Sequence, residues 1–466
     1  MEKPIVIFGA SGAGRKISEV IDKLNKEIEF FVDNDSNKWN TLFCGKVVKS
    51  PQSLLLHDYT IVMGSTHVEE IENQLEEMGL INNLVYGDCF KLEYIIKSIK
   101  EFQAMPVGIN SAVSPEVIID ISTGPPMCGV WTWSFQQAEM LYKRNHKVAF
   151  FYSNDRDNIP KNVAAHTYIF DFPEKGYIET IMDMARIVID NLPCTVIINF
   201  QGEMMYAAIA AKILYPNDIN IISIIHNDDR DVCYKNKLIA EYIDKIVAVS
   251  IDIKNKMIMD YGISCEKLFY KETPIFYNKK FIKQYNINAS QPIVIGYAAR
   301  LEIYQKRADL LIPFINILDE NKCNYQLLIA GDGTFHKKLE EYVNGRKDNS
   351  VRLLGRIERE NMEEFWEKCD IFISLSEFEG SSISLLEAMS KGVVPVVTEV
   401  SGTNEFIING ENGFVYPIGN IESIGKRIIK LDNNRSALIK LGDCAKKVVR
   451  MKCNPDDYIN FIEQLL

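Results

Sequence analysis

The chain is built on short runs of Val, Ile and Phe that alternate with longer amphipathic stretches, and this pattern recurs in three successive arrays. Such runs, separated by segments of helical length, are typical of parallel strands whose connecting helices cover the sheet on both faces. The pattern therefore predicts an α/β chain. Its 466 residues are enough for roughly three domains, each with its own core.

The three arrays give the predicted domain boundaries. The first domain, at residues 1–105, contains the strand-like runs Ile5–Phe8, Glu29–Val32 and Thr60–Met63. The second, at 112–288, contains Val117–Asp120, Val148–Phe151, Thr195–Ile198, Ile221–Ile225 and Ile246–Val249. The third, at 289–450, contains Pro292–Gly296, Gln326–Ile329, Val351–Leu354, Ile371–Ile373 and Val394–Val397. Breakers at 106–111 predict a linker. Residues 451–466 are expected to form a C-terminal helix that packs back towards the second array.

Charge and cysteine content narrow the class of protein. A formal net charge of -11 argues against a nucleic-acid partner and allows at most a peripheral contact with a membrane. The ten cysteines contain no C-x-x-C pair, which favours a reducing compartment without disulfides or structural zinc. Because neither a signal peptide nor an apolar run of membrane-spanning length is present, the expected location is cytoplasmic.

The most informative segment runs from Glu377 to Met389, directly after a strand-like run. A glycine and two serines, at 380–382, stand between strand and helix and leave backbone N–H groups free at a helix N-terminus, which suits a phosphate. Glu379 would stand at the mouth of a cleft. Glu387, inside the helix, could accept hydrogen bonds from the hydroxyls of a ribose. An ordinary helix cap followed by one exposed glutamate explains the segment equally well.

Six segments of the third array, taken in order, carry a resemblance to a known family. They are Gly296–Arg300 with Lys306, Ile329–Gly333, Leu354–Gly355, Glu379 and Glu387 in Glu-x7-Glu spacing, Lys391–Val396, and Glu405 with Gly413–Val415. Together they resemble the donor half of the retaining glycosyltransferases of family 4 (group 1), which have the two-lobed GT-B fold of facing Rossmann-like sheets. The second array resembles the acceptor lobe of the same family.

The resemblance implies a retaining, metal-independent glycosyltransferase of the hexosyltransferase type. The implied donor is a nucleotide-diphosphate sugar, expected to be a UDP-sugar, and the implied acceptor is a surface glycan, a lipid-linked sugar or a protein. No cofactor is expected. The anticipated mechanism is front-face substitution, in which the departing diphosphate oxygen takes the proton of the acceptor.

The resemblance also assigns roles to individual residues. Arg300 and Lys306 would bind the diphosphate, where fixed cations stabilise the charge that gathers as the glycosidic bond breaks. A surface ion pair is the alternative for each. The implied catalytic set is His226, Arg300, Lys306 and Glu379. The implied donor-binding set is Gly129, Arg300, Lys306, Gly355, Ile357, Gly380, Ser381, Ser382, Ile383 and Glu387, with Glu387 on the ribose and the backbone of 355–357 on the base.

In the second array, Gly124–Gly129 matches the glycine loop that approaches the donor phosphates. This chain has Cys128 before Gly129 where the family often has paired glycines, and Glu272–Pro274 replaces the usual Asn-Gly turn. His226 follows a strand directly, so its side chain could hydrogen-bond the donor sugar. A satisfied turn histidine is the alternative for this position.

Three Asp-x-Asp pairs resemble the metal-binding pairs of other transferases. They are Asp33 with Asp35, Asp155 with Asp157, and Asp229 with Asp231. None stands where this fold would need a metal ion. The sequence therefore predicts that side-chain cations and a helix terminus take the place of a metal.

The first array carries a glycine motif of its own. Gly9, Ser11, Gly12 and Gly14 follow a strand and open a helix, and Asp33 ends the next strand nineteen residues later. The motif resembles nucleotide-sugar-binding domains of sugar acetyltransferases. Ligand sensing and a purely structural role are both consistent with it.

Two other functions remain alternatives. One is an NAD-dependent nucleotide-sugar oxidoreductase or epimerase that acts through the first domain, and the other is a non-catalytic nucleotide-sugar-binding regulator. The oligomeric state, including a homo-oligomer, stays open.

Overall fold

A computed structural model of the chain describes residues 3–65, 67–103, 115–120, 129–152, 167–171, 176–278 and 280–466. The predicted linker at 106–111, the glycine loop at 124–128, and the pair Asp155 and Asp157 lie outside these residues. Within the described ranges, no helix is both long enough and apolar enough to cross a lipid bilayer.

The first domain is a six-stranded sheet with strand order β3-β4-β2-β1-β5-β6. Its strands are β1 (Ile5–Phe8), β2 (Ile28–Val32), β3 (Leu42–Phe43), β4 (Lys46–Lys49), β5 (Thr60–Met63) and β6 (Leu84–Tyr86). Its helices are α1 (Gly12–Lys23), α2 (Val68–Glu77) and α3 (Gly87–Gln103). All neighbouring strands pair in parallel except β3, which is antiparallel to β4. Two apolar clusters pack against this domain's elements, as expected for a sheet covered on both faces.

The second domain is a seven-stranded sheet with order β13-β12-β11-β10-β7-β8-β9, in which every pairing is parallel. Its strands are β7 (Val117–Asp120), β8 (Val148–Tyr152), β9 (Thr167–Asp171), β10 (Cys194–Ile198), β11 (Ile219–Ile225), β12 (Lys245–Ala248) and β13 (Leu268–Tyr270). Its helices are α4 (Gly129–Lys143), α5 (Tyr177–Asp190), α6 (Glu203–Leu214), α7 (Arg230–Leu238) and α8 (Ile251–Met259).

The third domain is a six-stranded parallel sheet with order β16-β15-β14-β17-β18-β19. Its strands are β14 (Ile293–Ala298), β15 (Tyr325–Ala330), β16 (Val351–Gly355), β17 (Ile371–Ser374), β18 (Val394–Thr398) and β19 (Phe414–Tyr416). Its helices are α9 (Leu311–Glu320), α10 (His336–Asn344), α11 (Arg359–Lys368), α12 (Ile383–Ser390), α13 (Thr403–Phe406), α14 (Ile421–Asn433) and α15 (Ser436–Lys452).

The strand order places a switch point in each of the last two sheets. In the third sheet the chain departs to one side after β14 and returns to the other side at β17, and in the second sheet β7 and β10 have the same relation. Ligands of open α/β sheets bind beyond the carboxyl ends of the strands at such points. The residues that follow β14, β17, β7 and β10 are therefore the ones placed to meet a substrate.

The last helix, α16 (Pro455–Glu463), packs against the second sheet rather than the third. The ring of Tyr458 meets Trp133 edge-on at 4.6 Å between centroids, and Arg144 donates a hydrogen bond to Asn460 at 2.8 Å. Because α15 runs as far as Lys452, the segment that crosses back begins two residues later than the sequence predicted. The crossing ties the two lobes together at the end of the chain.

The first domain packs against the second through a charged and aromatic interface. Tyr86 stacks on Tyr234 at 3.7 Å, and Arg230 pairs with the buried Glu72 at 2.7 Å. Burial alone would raise the pKa of the buried Asp88, but the Lys91 ammonium and other nearby donors hold it well below its ordinary value. Separating buried charges from their partners costs free energy, so this interface holds the first domain against the second domain.

Two glycines of the first motif differ in what surrounds them. A Cβ atom on Gly14 would lie 2.0 Å from the carbonyl oxygen of Gly9, whereas a Cβ atom on Gly12 would meet no atom within 4 Å. Both lie in α1. We expect Gly14→Ala to lower the local free energy of unfolding of the first domain by about 1–3 kcal/mol, because backbone must move to admit the methyl group.

The matched control is Gly12→Ala, which should leave local stability unchanged or raise it by up to about 1 kcal/mol through helix propensity. Amide hydrogen exchange of peptides from β1, α1 and β2 measures both effects. Equal exchange in the two variants would contradict the close approach of Gly14 to Gly9.

Candidate active site between the second and third sheets

The segment after β17 forms a turn and a capped helix. The Ser382 hydroxyl accepts a hydrogen bond from the Leu385 amide at 3.4 Å and so caps α12. The first-turn amides of a helix have no partner within the helix. The Ser381 hydroxyl is buried and has no hydrogen-bond partner among the described residues. Hydrogen-bond donors without a partner are therefore grouped at this turn, which is what an anion-binding site requires.

Lys306 and Glu379 meet at the same place. The Lys306 ammonium lies 2.5 Å from Glu379 Oε1, and their side chains are only 16% and 8% exposed. The Ser376 hydroxyl donates to the same oxygen at 2.7 Å. The sequence predicted both residues for the site separately and missed that they pair with each other.

Arg300 extends the positive charge along the loop after β14. Its guanidinium donates to Gln305 Oε1 at 2.9 Å and pairs with Glu302 at 2.8 Å, while its side chain stays 45% exposed. Gln305 donates in turn to the Phe378 carbonyl at 3.2 Å. The loop after β14 and the turn after β17 are thereby joined at the switch point.

Glu387 lies one helical turn further along α12. Its Oε2 accepts a hydrogen bond from the Trp366 indole at 3.3 Å. Burial raises the pKa of Glu387, and the neighbouring Arg359 and Trp366 partly oppose that effect. A partly buried carboxylate of this kind has capacity left for further hydroxyl donors.

Gly355 and Ile357 lie at and just beyond the end of β16. Gly355 has a φ of 62°, a left-handed conformation that favours glycine. Ile357 lines an open hollow of about 210 Å³ between β16 and α11, together with apolar side chains that include Leu354 and Phe365. Of the two residues predicted for the base, Ile357 therefore lines this hollow, and Gly355 follows its lining residue Leu354 in the chain.

His226 follows β11 directly, on the opposite lobe. Its Nε2 lies 2.9 Å from Asn199 Oδ1, at the end of β10. Burial lowers the pKa of His226 to about 3, so the ring is neutral near pH 7. Asn199 was not predicted from the sequence, although its position directly after a central strand was the available signal.

The two lobes touch through backbone at this point. Asn227 and Gly380 form an isolated antiparallel bridge, and the Asp228 amide donates to the Glu379 carbonyl at 3.2 Å. A Cβ atom on Gly380 would lie 2.1 Å from the His226 carbonyl oxygen. Glycine at 380 is therefore required by the close approach of the lobes.

Two further predicted residues lie at this contact between the two lobes. A Cβ atom on Gly129, the first residue of α4, would lie 3.2 Å from Ile383 Cδ1 at the start of α12. The structure thus brings Gly129 and Ile383 together across the cleft.

A second contact between the lobes lies at the start of α8. Glu405 Oε1 accepts a hydrogen bond from the Ile251 amide at 2.6 Å, and the Tyr270 hydroxyl donates to its other oxygen. In the reverse direction, Asp252 Oδ2 accepts from the Gly402 amide at 3.2 Å. Each lobe therefore supplies a carboxylate to a backbone amide of the other, and no local sequence pattern predicts these contacts.

The loop of the glycine motif in the first domain is hydrogen-bonded to other parts of that domain. Asp33 Oδ2 accepts hydrogen bonds from the Ala10 amide and the Lys38 ammonium, both at 2.9 Å. The Ser11 hydroxyl donates to the Gly64 carbonyl at 3.1 Å. Asp33, which the sequence analysis placed in the glycine motif of the first domain, thus already holds the loop and a lysine.

The described Asp-x-Asp pairs have structural partners. Asp229 caps α7 by accepting from the Asp231 amide at 2.8 Å, and Asp231 pairs with Lys235 at 2.6 Å. In the part of the chain that the structure describes, no three His, Cys, Asp or Glu side chains cluster in a way that could hold a metal ion.

Comparison with protein families matches two parts of the chain. Residues 278–448 match the family described as Glycosyl transferases group 1, and residues 1–85 match the family described as C2185-like, N-terminal. The first of these matches covers the third sheet and the connection that leads into it. The first domain corresponds to a separate family.

Curated relatives extend the similarity into the second sheet. An uncharacterized glycosyltransferase of Methanocaldococcus jannaschii is 26% identical over 328 residues, which are 66% of this chain and 87% of that protein. The N-acetyl-alpha-D-glucosaminyl L-malate synthase of Bacillus anthracis is 27% identical over 260 residues, 52% of this chain and 66% of that protein.

Solved structures share the fold at low sequence identity. A TarM variant from S. aureus, in complex with fondaparinux, alpha-GlcNAc-glycerol and UDP, has a TM-score of 0.62 at 12% identity and covers 75% of this chain and 99% of its own. HepE of Anabaena, in complex with UDP and glucose, has a TM-score of 0.62 at 15% identity, with 75% and 98% covered. The predicted fold is confirmed: an α/β chain in which a small Rossmann-like domain precedes a GT-B pair of lobes.

We expect the His226 ring resonances to stay constant between pH 8 and pH 5 in a proton NMR titration. An ordinary histidine side chain takes up its proton near pH 6.5, whereas a pKa lowered to about 3 by burial delays protonation below this range. The spectrum of His226→Gln identifies the resonances. A midpoint between pH 5 and pH 8 would contradict a ring that stays neutral in this range.

Proposed function

We propose that this chain, whose residues 278–448 match the group 1 glycosyltransferase family, is a retaining hexosyltransferase that uses a UDP-sugar as donor. The acceptor would be a hydroxyl of a glycan, a lipid-linked sugar or a protein. One observation carries the proposal: the buried Ser381 hydroxyl, which has no partner among the described residues, and the start of α12 directly follow Glu379, which holds the Lys306 ammonium, and Gly380, which bridges to Asn227 next to His226. Among common ligands, a diphosphate matches a group of donors and cations at a helix start.

Charge stabilisation is the main chemical contribution of these residues. As the glycosidic bond breaks, the leaving diphosphate gains negative charge, which Lys306 and Arg300 would stabilise more strongly in the transition state than in the bound donor. Lys306 is held by Glu379 at 2.5 Å, so its ammonium is already in position before a donor binds. Fixed cations of this kind take the role that a divalent metal has in other transferases.

The donor would span the third sheet from the hollow to the cleft. The recess beside Ile357 and the backbone at Gly355 suit the base, and Glu387 suits the ribose hydroxyls. Glu379 and His226 would then lie near the sugar. The two UDP-bound neighbours of the same fold support the choice of uridine, and the alpha-GlcNAc-glycerol in one of them supports a hydroxyl acceptor.

Retention would follow from attack on the face that the leaving group departs from. Glu379, the carboxylate next to the proposed sugar site, is already bound by Lys306 and Ser376 and is poorly placed to act as a nucleophile. A departing diphosphate oxygen can instead accept the acceptor proton, so that the new bond forms on the side of the old one. The residues then need only hold and polarise the reactants.

The first experiment is a thermal-shift screen of nucleotide sugars, followed by mass detection of donor hydrolysis or transfer. Stabilisation by a UDP-sugar with turnover supports the proposal. Binding without transfer or hydrolysis would indicate a regulator. Binding of nicotinamide dinucleotide that is lost in a Gly9→Ala variant would indicate an oxidoreductase.

Product stereochemistry tests the retaining mechanism. From an α-linked donor we expect an α-linked product, because attack and departure share one face of the sugar. Single-turnover reactions analysed by the anomeric proton coupling in NMR give the answer directly. A β-linked product would rule out the proposed front-face route.

Two substitutions separate binding from turnover. Glu387→Ala should weaken donor binding by roughly 10- to 100-fold through loss of charge-assisted hydrogen bonds. Lys306→Ala should lower kcat by about 10²–10³-fold, because it removes charge stabilisation in the transition state. Isothermal titration with UDP-sugar and steady-state rates measure the two effects.

The controls are Glu422→Ala and Lys426→Ala, which remove members of an exposed pair in the same lobe. Both should bind donor and turn over like the unmodified chain. Unchanged kinetics in Glu387→Ala and Lys306→Ala would remove this cleft as the site of transfer.

A further inference from the structure

Buried polar side chains form a chain of hydrogen bonds from the C-terminal helix to His226. Ser134, Gln137, Asn199 and Tyr458 are at most 3% exposed, and all lie within the core of the second lobe. Polar groups are costly to bury and are retained where their bonds are satisfied. Which atom donates and which accepts in this series of hydrogen bonds follows from the other bonds that each side chain makes.

Gln137 and Ser134 determine the orientation of the Asn199 amide. The Ser134 hydroxyl donates its single proton to the Val130 carbonyl at 2.9 Å, so towards Asn199 Nδ2, also at 2.9 Å, it can only accept. Gln137 Oε1 lies 3.5 Å from the same nitrogen, and Gln137 Nε2 donates to the Tyr458 hydroxyl at 3.2 Å. Two acceptors therefore surround the amide nitrogen of Asn199, and its oxygen is left for His226.

The tautomer of His226 follows from that orientation. Asn199 Oδ1 has no proton, so the ring nitrogen 2.9 Å away, Nε2, must be the donor. A neutral imidazole carries one N–H, and Nδ1 is then left with a lone pair. No described residue forms a hydrogen bond to Nδ1, and the ring is partly exposed.

We propose that Asn199 is a positioning residue that holds His226 as the Nε2–H tautomer, so that Nδ1 accepts a hydrogen bond from a hydroxyl of the donor sugar. The nature of the bound group rests on the proposed function, whereas the tautomer rests on the hydrogen-bond chain alone. A phosphate oxygen, itself an acceptor, is excluded from Nδ1, so this histidine recognises the sugar and leaves the diphosphate to the opposite lobe. The lowered pKa of His226 is consistent with a ring that carries one proton.

The first test is long-range proton–nitrogen NMR of the full chain labelled with ¹⁵N-histidine, with the His226 signals identified in His226→Gln. The expected pattern is that of the Nε2–H tautomer. An Nδ1–H pattern or a doubly protonated ring at pH 7.5 would overturn the proposal. This measurement needs neither a ligand nor a variant of Asn199.

The second test compares Asn199→Leu with Asn199→Asp. Leucine is similar in volume but has no acceptor, so the tautomer should become mixed, and kcat/KM for the UDP-sugar should fall about tenfold or more. UDP alone should inhibit both proteins equally, because it lacks the sugar hydroxyl. Asn199→Asp keeps an acceptor oxygen, so Nε2 should again carry a proton in all molecules, which a role in packing alone would not predict.

The matched control is Asn236→Leu, which removes another fully buried asparagine of the same lobe, one that accepts from Ser223 at 2.7 Å. It should leave the His226 tautomer and the ratio of UDP-sugar to UDP affinity unchanged. A folded Asn199→Leu protein with an unaltered tautomer and unaltered kinetics would overturn the inference. An Nε2–H ring in a protein that transfers no sugar would leave the tautomer standing and reject the proposed function.

Discussion

The close backbone contact between His226 and Gly380 is the constraint on which the cleft depends. A methyl group at 380 would lie 2.1 Å from a carbonyl oxygen of the other lobe, so only glycine allows the two strand ends to meet. That contact brings the residues after β11 against the turn after β17. Every other feature of the site, from the helix start to the buried pair behind it, is arranged around this crossing.

The two lobes contribute different chemical groups to the contact between them. The third sheet supplies cations and free amides, with Lys306 fixed against Glu379 in a nearly buried pair. A buried pair is costly to desolvate, and its value here is that the ammonium has a defined position. The second sheet supplies a neutral ring held by an uncharged amide. Such a division suits a substrate with one anionic part and one hydroxyl-bearing part.

The first domain contacts both lobes on the outside of the cleft. It holds the start of α7, just beyond the His226 loop, through the pair of Glu72 with Arg230. Its His67 ring also approaches Tyr304 of the third sheet at 6.5 Å, on the loop between Arg300 and Lys306. At its own glycine motif, Asp33 pairs with Lys38 at 2.9 Å. The first domain is thus in contact with both lobes outside the cleft.

The sequence by itself determined the α/β class, the longer central strands and the chemical groups at their ends, because periodicity and glycine placement are local properties. It missed short strands such as β3, β6 and β19, whose two or three residues are too few to show an alternation. Only the tertiary structure decided that Lys306 pairs with Glu379 and that Asn199 holds His226. These partners lie 73 and 27 residues apart, and their meeting depends on strand order and on the facing of two sheets.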